Sequence, residues 1–471
     1  LQARQMREDD PEVLPRLELA DVPETLSIPE GTPDRVGELP CDWFDRPTNG
    51  LVYQQALIDL PLLQDDELEL LPLLVSCMAE VGSAGRDYLE TQALMAGVTG
   101  GIGCYAGVHS AISEDAPGRG MLTVSGKALA RNQGALAKLL RETLDQARFD
   151  ETNRLRELVS QMRAAAELRI GDAGHQLALS AASAGLSPVG ALSDRWHGMP
   201  AMRRLKELDR ALEKEHPLEH LSERLDALAR RLRQGRPRLF VAAEGEHFDS
   251  LSTALSGVWE DRSGELRQPG LPLSRFEAKQ CFTGWVADAH QVCHCAKAYR
   301  AVPYSHPDAP VLTVLGVFLR NGYLHRAIRE QGGAYGGGAG YDSDSRAFRF
   351  YSYRDPHLTE TLDHFDRSLE WLESFNHTQR SLEEAILGVV GSIDKPGSPA
   401  GEAKRAYHDR LNGRTPEERR GYRSRVLQTG IEDLKRVARL YLRPEQASIG
   451  LVGPSRLLES SELPLVIERL V

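Results

Sequence analysis

Arg329 and Tyr335 stand six residues apart in the stretch IREQGGAYGGGAGYD, residues 328–342. A guanidinium presents donors in a fixed fork, and a phenol presents one O–H. Held side by side, the two can grip a polarised carbonyl and stabilise the negative charge that develops on it in a transition state. Six of the fifteen residues in that stretch are glycine. Gly332 and Gly333 read as a helix C-cap. Gly336, Gly337, Gly338 and Gly340 need another reason, because glycine inside a strand weakens it and marks a place where a second backbone approaches closely. Gly336 and Gly337 therefore join Arg329 and Tyr335 as candidate substrate-binding positions.

A glycine-rich loop also raises the question of phosphate. A phosphate cradle runs strand, glycines, then helix N-terminus, where free N–H groups and the positive end of the dipole meet the anion. Here the helical segment YLHRAIRE comes first and ends at the glycines. The glycines thus meet carbonyls and the negative dipole end, and the sequence excludes a nucleotide loop of this type.

The elements that must position the pair follow from periodicity. A helix over about 308–331 carries Arg329 into a hairpin over 332–354, whose return strand RAFRFYSYR alternates and whose turn is DSDS at 342–345. Upstream, residues 48–60 read as a strand, two more strands lie over 100–112 and 118–129, and a long helical stretch covers 131–184. Further helices follow at 199–214 and 217–233. After Gly235 a strand begins at RLFVAAE, then a helix, strands over 279–302, the 308–331 helix, the hairpin, helices over 357–442 and a strand at 447–453. Both halves run strands, helix, strands, helices. The expectation is an α+β chain of two tandem homologous domains, each a mixed or antiparallel sheet packed with several helices. The boundaries read as 1–47 an extended, proline-dotted lead-in, 48–235 a first domain and 236–471 a second.

With 471 residues, 57 Lys and Arg against 68 Asp and Glu and a net charge of −11, the chain lacks the basic surface of a general nucleic-acid binder. It contains no apolar run of membrane-spanning length. The six cysteines show no disulfide framework spacing and suit a reducing compartment. Abundant Ala, Leu and Arg suggest a bacterial, cytoplasmic protein. The opening at Leu1, charged and proline-rich, reads as the continuation of a longer gene product.

Two clusters could hold metal. HPLEH at 216–220 spells an inverted zinc motif, with His216 and His220 as ligands and Glu219 as base. Pro217 instead suits the first position of a helix, with His216 as N-cap and Glu219 in the acidic first turn. In HQVCHC, His290 and His294 fall on one face of a strand and Cys293 and Cys295 on the other. The expectation there is small buried thiols, not a ligand set.

The stretch YLHRAIREQGGAYGGGAGYDSDSRAFRFYSYRDPHLTETL at 323–362, with RPTNGLVY at 46–53 and AYRAVPYSHPDAP at 298–310, resembles the C-terminal half of the pitrilysin/insulinase family of zinc metallopeptidases, and the likeness covers nearly the whole chain. The resemblance implies half of a clamshell around an inner chamber. Zinc is then held by an N-terminal half, not by this chain, which contributes no metal ligand. The implied partners are that N-terminal catalytic half and an unstructured peptide substrate, with no nucleic acid and no membrane. By motif match, Arg329 and Tyr335 are the family's arginine and tyrosine that reach the substrate near the metal. This implies a metalloendopeptidase half that is inactive alone. Two alternatives stand beside it: a non-catalytic peptide-binding or scaffold subunit of the family, and a free-standing metallohydrolase using HPLEH.

Overall fold

The protein is represented by a computed structural model that describes residues 17–470 apart from 115, 214 and 375. In chain order its strands and helices are β1 Thr32–Val36, β2 Leu39–Asp45, β3 Leu51–Asp59, α1 Asp65–Met78, α2 Tyr88–Val98, β4 Ile102–His109, β5 Arg119–Leu129, α3 Gln133–Gln146, α4 Thr152–Ser183, α5 Pro188–His197, α6 Met199–Ala211, α7 Glu215–Leu232, β6 Arg238–Ala243 and α8 Phe248–Trp259. There follow β7 Phe282–Val286, β8 His294–Arg300, α9 Asp308–Leu319, a π-helix Arg320–Gln331, β9 Gly336–Asp342, β10 Ala347–Tyr353, α10 Thr359–Ser374, α11 Gln379–Ile393, α12 Pro399–Leu411, α13 Pro416–Leu427, α14 Ile431–Tyr441, β11 Ser448–Gly453, α15 Ser455–Glu459 and β12 Val466–Arg469.

The strands form two six-stranded sheets, β1-β2-β6-β3-β5-β4 and β12-β7-β11-β8-β10-β9. Five strands of each sheet repeat one pattern. β2 and β6 are parallel, as are β7 and β11, and every later neighbour in each row is antiparallel. The expected α+β architecture of two homologous mixed sheets is therefore present. β4 and the glycine-rich β9 occupy the same topological position, the outer edge.

Three sequence expectations are corrected. Residues 32–45 are not lead-in. They form β1 and β2, and the proline Pro33 is tolerated because β1 is an edge strand. The lead-in's first 16 residues lie outside the described residues. A boundary at 235 cuts the first sheet, since β6 inserts between β2 and β3, and α8 buries Leu251, Leu255 and Trp259 in the core under that sheet. The units also interlock, so neither range is self-contained. The first half of α4 supplies Leu155, Leu158 and Val159 to the first core, whereas its second half packs Leu177, Ala178 and Ala181 under the second sheet. In return α12 lays Ala400, Ala403 and Tyr407 on the first sheet against Phe44 and Phe240.

One ion pair ties this exchange together. Arg119 donates to both oxygens of Asp59, at 2.6 and 3.0 Å, and to the carbonyl oxygen of Leu411 at the end of α12, at 2.7 Å. The carboxylate also accepts from Arg238 at 3.3 Å.

Candidate functional site

Arg329 and Tyr335 are placed by the junction of the π-helix with β9. The π-helix continues α9, a helix with ten of twelve residues buried. The wider turn persists to its end, where the Gly332 amide donates to the carbonyl of Ala327, five residues back, at 3.0 Å. Such turns are rare, and they cluster at functional sites. Gly333 then adopts φ +78°, the left-handed conformation that ends the helix. The expected cap is thus realised, and it turns the chain so that the Tyr335 amide donates to the carbonyl of Tyr353 at 3.1 Å.

The pair itself faces outward. Arg329 is exposed, Tyr335 is 65% exposed, and the guanidinium carbon lies 6.0 Å from the phenol ring centroid. Among the described residues, neither the guanidinium nor the phenol hydroxyl has a hydrogen-bond or ion-pair partner. A cation and a phenol are donors, so the set suits an anion or a polarised carbonyl and not a metal ion.

The glycines divide by their surroundings. A side chain at Gly337 would press on Ile328 and on the Tyr351 carbonyl at 3.0 and 3.1 Å, and one at Gly316 of α9 would meet the Gly340 backbone at 2.7 Å. Here the second backbone approaching β9 is the protein's own helix. At Gly336 nothing lies within 4 Å. Gly336 therefore leaves open space beside Tyr335, whereas the protein's own packing accounts for Gly337.

Behind Tyr335 stands a support that sequence reasoning missed. The ring of Tyr353 meets that of Tyr335 edge-on. Its hydroxyl donates to the carbonyl of Asp172 at 3.2 Å, and Arg354 donates to the carbonyl of Gly171 at 3.1 Å. Those carbonyls are available because α4 kinks at Ala173, φ −140°, which interrupts the helical ladder. His175 and His294 flank the Tyr353 ring at 4.8 and 5.4 Å. Burial first, then the neighbouring His175, His290 and Arg354 charges, push the His294 pKa down to about 4. The one readable signal was the alternation of RAFRFYSYR, which puts Tyr351 and Tyr353 on one face.

The far end of the hairpin is also held. The Ser110 hydroxyl donates to the Asp344 carbonyl at 2.6 Å, and Arg414 donates to the Asp344 carboxylate at 3.0 Å. The hairpin is therefore a braced beam, fixed to the first unit at its tip and to α4 at its base.

The two metal-like motifs resolve differently. Cys293 and Cys295 are buried, their sulfurs 3.6 Å apart, and the Cys293 thiol donates to the carbonyls of Asp355 and His357 at 3.2 Å. They are packed thiols, as expected. Only His294 of the two histidines lies in β8, while His290 sits in the preceding turn. In HPLEH the helix begins at Glu215, earlier than Pro217 predicts. Glu219 and His220 are exposed, and the side chain of His216 lies outside the described residues. The one group of three possible metal-binding side chains among the described residues is Glu244, Glu246 and His247.

Comparison with known proteins follows these contours. A family model for the segment associated with peptidases of family M16, subfamily C, matches residues 1–208, and one described as "PreP C-terminal domain" matches residues 291–449. The mitochondrial presequence protease of Danio rerio is 28% identical over 96% of this chain and 46% of its own length. Presequence protease 1 of Arabidopsis thaliana, chloroplastic and mitochondrial, is 29% identical over 92% of this chain and 40% of its own. The chain thus spans about half the length of the curated relatives it matches. A solved structure called a peptidase M16 inactive domain, from Pseudomonas fluorescens, shares the fold with a TM-score of 0.62 at 15% identity, covering 91% of this chain and 98% of its own. The bacterial cytoplasmic placement read from composition is overturned, because these curated relatives are organellar proteins of eukaryotes. Residue composition reports solubility and charge, not the compartment. The two family models and the relatives spanning nearly all of its length place this chain in the pitrilysin (M16) family of peptidases, as a C-terminal half of the presequence protease type.

Proposed function

We propose that this chain is the wall-forming half of a zinc metalloendopeptidase for unstructured peptides and that Arg329 and Tyr335 act on the substrate. The carrying observation is the uncommitted donor pair at the end of the π-helix, exposed yet braced from behind by Tyr353. The zinc, held by residues outside this chain, supplies the polarised carbonyl and the activated water. The donor set at 329 and 335 fits beside such an ion and not around it. Arg329 holds the peptide carbonyl in register, and the Tyr335 O–H donates to the oxygen as its charge grows. Open space at Gly336 admits the peptide backbone past the phenol. Neither residue makes a nucleophile, so the chain is inactive alone.

The test is made in the full-length enzyme with an unstructured peptide. Tyr335→Phe removes one donor, and kcat should fall by roughly 10²–10³-fold, the scale of one oxyanion donor. KM and Tm should stay near parental values. Arg329→Ala should raise KM and lower kcat together. Full activity in both variants refutes the assigned roles.

A further inference from the structure

We propose a second peptide-binding site on the first unit: the open edge of β4, which takes an extended segment with an apolar side chain and a nearby carboxylate. β4 ends its sheet and pairs only with β5. Among the described residues its other edge makes no backbone hydrogen bonds. Beside that edge lies a cavity of about 520 Å³, floored by Leu73 of α1, Met162 of α4 and Met202 and Leu205 of α6. The volume falls within the range of ligand pockets.

The cavity touches Cys104, Tyr105 and Ala106 in succession. Successive strand residues point to opposite faces. Cys104 packs toward the core under the first sheet, whereas the Tyr105 hydroxyl accepts from Gln55 on the opposite face at 3.3 Å. β4 is the outermost strand of its sheet, so a cavity lined by residues 104–106 and by helices on the Cys104 side lies beside the open edge. An unpaired edge beside an apolar floor recognises an extended backbone by strand addition and a side chain by burial.

Charge chooses among peptides. Two arginines at the rim are already paired, Arg224 with Asp66 at 3.4 Å and Arg204 with Glu69 at 3.7 Å. Arg169 lines the same cavity, is exposed, and has no ion-pair partner among the described residues. It supplies the site for a carboxylate, from an acidic side chain or a chain terminus. β4 also holds the position in its sheet that β9 holds beside Tyr335. Arg169 precedes Gly171, whose carbonyl binds Arg354, by about 3 Å of helix rise. Arg169 thus lies on the same stretch of α4 as the Tyr353 support. Only the identification of this peptide as a substrate rests on the proposed function; the binding itself does not.

The probe is a fluorescein-labelled decapeptide with leucine at alternate positions, polar residues between them and a free C-terminal carboxylate, titrated by anisotropy into the full chain. Ala165→Trp, which fills the cavity from the exposed side of α4, should weaken binding at least ~10-fold, as should N-methylation of alternate peptide amides. Arg169→Glu, on the surface and harmless to folding, should weaken it by ~5-fold or more, and amidating the peptide terminus should remove that difference. Arg329→Ala is titrated in parallel and reports any probe held at the Arg329–Tyr335 pair instead. Parental affinity in both Ala165→Trp and Arg169→Glu overturns the inference. So does a loss seen only in Arg329→Ala, which would leave the Arg329–Tyr335 reading standing. Displacement of the probe by a peptide of residues 1–16 at lower concentration than unlabelled probe also overturns it, by assigning the groove to the chain itself.

Discussion

The rings of Tyr335 and Tyr353 meet edge-to-face, their centroids 5.4 Å apart and their planes at 89°. The exposed ring carries the free hydroxyl, and the inner ring is tied to the kink of α4. An edge-to-face pair contributes about 0.5–1.5 kcal/mol beyond burial, enough to bias an exposed phenol toward one orientation. In the proposed mechanism Tyr353 is accordingly a positioning residue.

Tyr353→Phe and Tyr353→Leu separate the two parts of that role. The phenylalanine variant keeps the ring contact and loses the bond to Asp172, so kcat should stay within about threefold while Tm drops by the loss of one hydrogen bond, roughly 1 kcal/mol. The leucine variant removes the edge contact, and kcat should fall while KM changes little. Steady-state kinetics of both variants in the full-length enzyme check this. Equal kcat values for the two variants would refute the positioning role.

Gly336 gives a cleaner separation of stability from function. Nothing lies within 4 Å of the position a side chain would take there, and its φ is not positive. Gly336→Val suits a strand and removes glycine's chain entropy in the unfolded state, so Tm should hold or rise by the equivalent of about 0.5–1 kcal/mol. The added methyls occupy the space beside Tyr335, and KM for a peptide should rise. Thermal denaturation and peptide kinetics on the same preparation decide it.

How much of this was legible depends on whether a feature is local. The cap at Gly332–Gly333, the alternating return strand and the buried thiols at 293 and 295 are set by neighbours in sequence, and they were readable. β1 was hidden because Pro33 argues against a strand, and only its edge position makes proline acceptable. β6 could not be assigned to the first sheet, because its pairing with β2 joins residues about two hundred positions apart. The support from Asp172 and Gly171 was invisible for the same reason. Its carbonyls become available only through a kink in α4, and their donors lie on β10 and just after it.

The Asp59–Arg119 pair should carry much of the lock between the units. Both side chains are buried, at 6% and 7% exposure, and the guanidinium also holds the end of α12. Asp59→Ala strands Arg119 without its counter-charge, a change that costs about 3–5 kcal/mol. Replacing both partners, as Asp59→Leu with Arg119→Met, should recover much of the loss, since an apolar pair of similar size leaves no orphaned charge. Chemical denaturation of the single and double variants measures the difference.

Acid should loosen the base of the hairpin first. His294 is buried against Gly174 of α4 and Tyr353, and its folded pKa lies near 4, below the ordinary value of about 6.5 for an unfolded histidine. The folded state therefore binds fewer protons than the unfolded state between those values, and stability rises with pH across that window. The contribution is fully present above pH ~6.5 and is lost as pH falls toward ~4, a change of order 3–4 kcal/mol at about 1.4 kcal/mol per pH unit. His408, also pushed down to about 4 by burial, adds a slope of the same sign. His294→Gln cannot take up the proton, so its stability should fall less steeply than the parent's between pH 6.5 and 4, with slope remaining from His408 and from His175, His197 and His364, which burial also pushes down. Denaturant midpoints at half-unit pH steps test this, and hydrogen exchange at the amides of Tyr335 and Tyr353 should show the parent opening there before its sheets do.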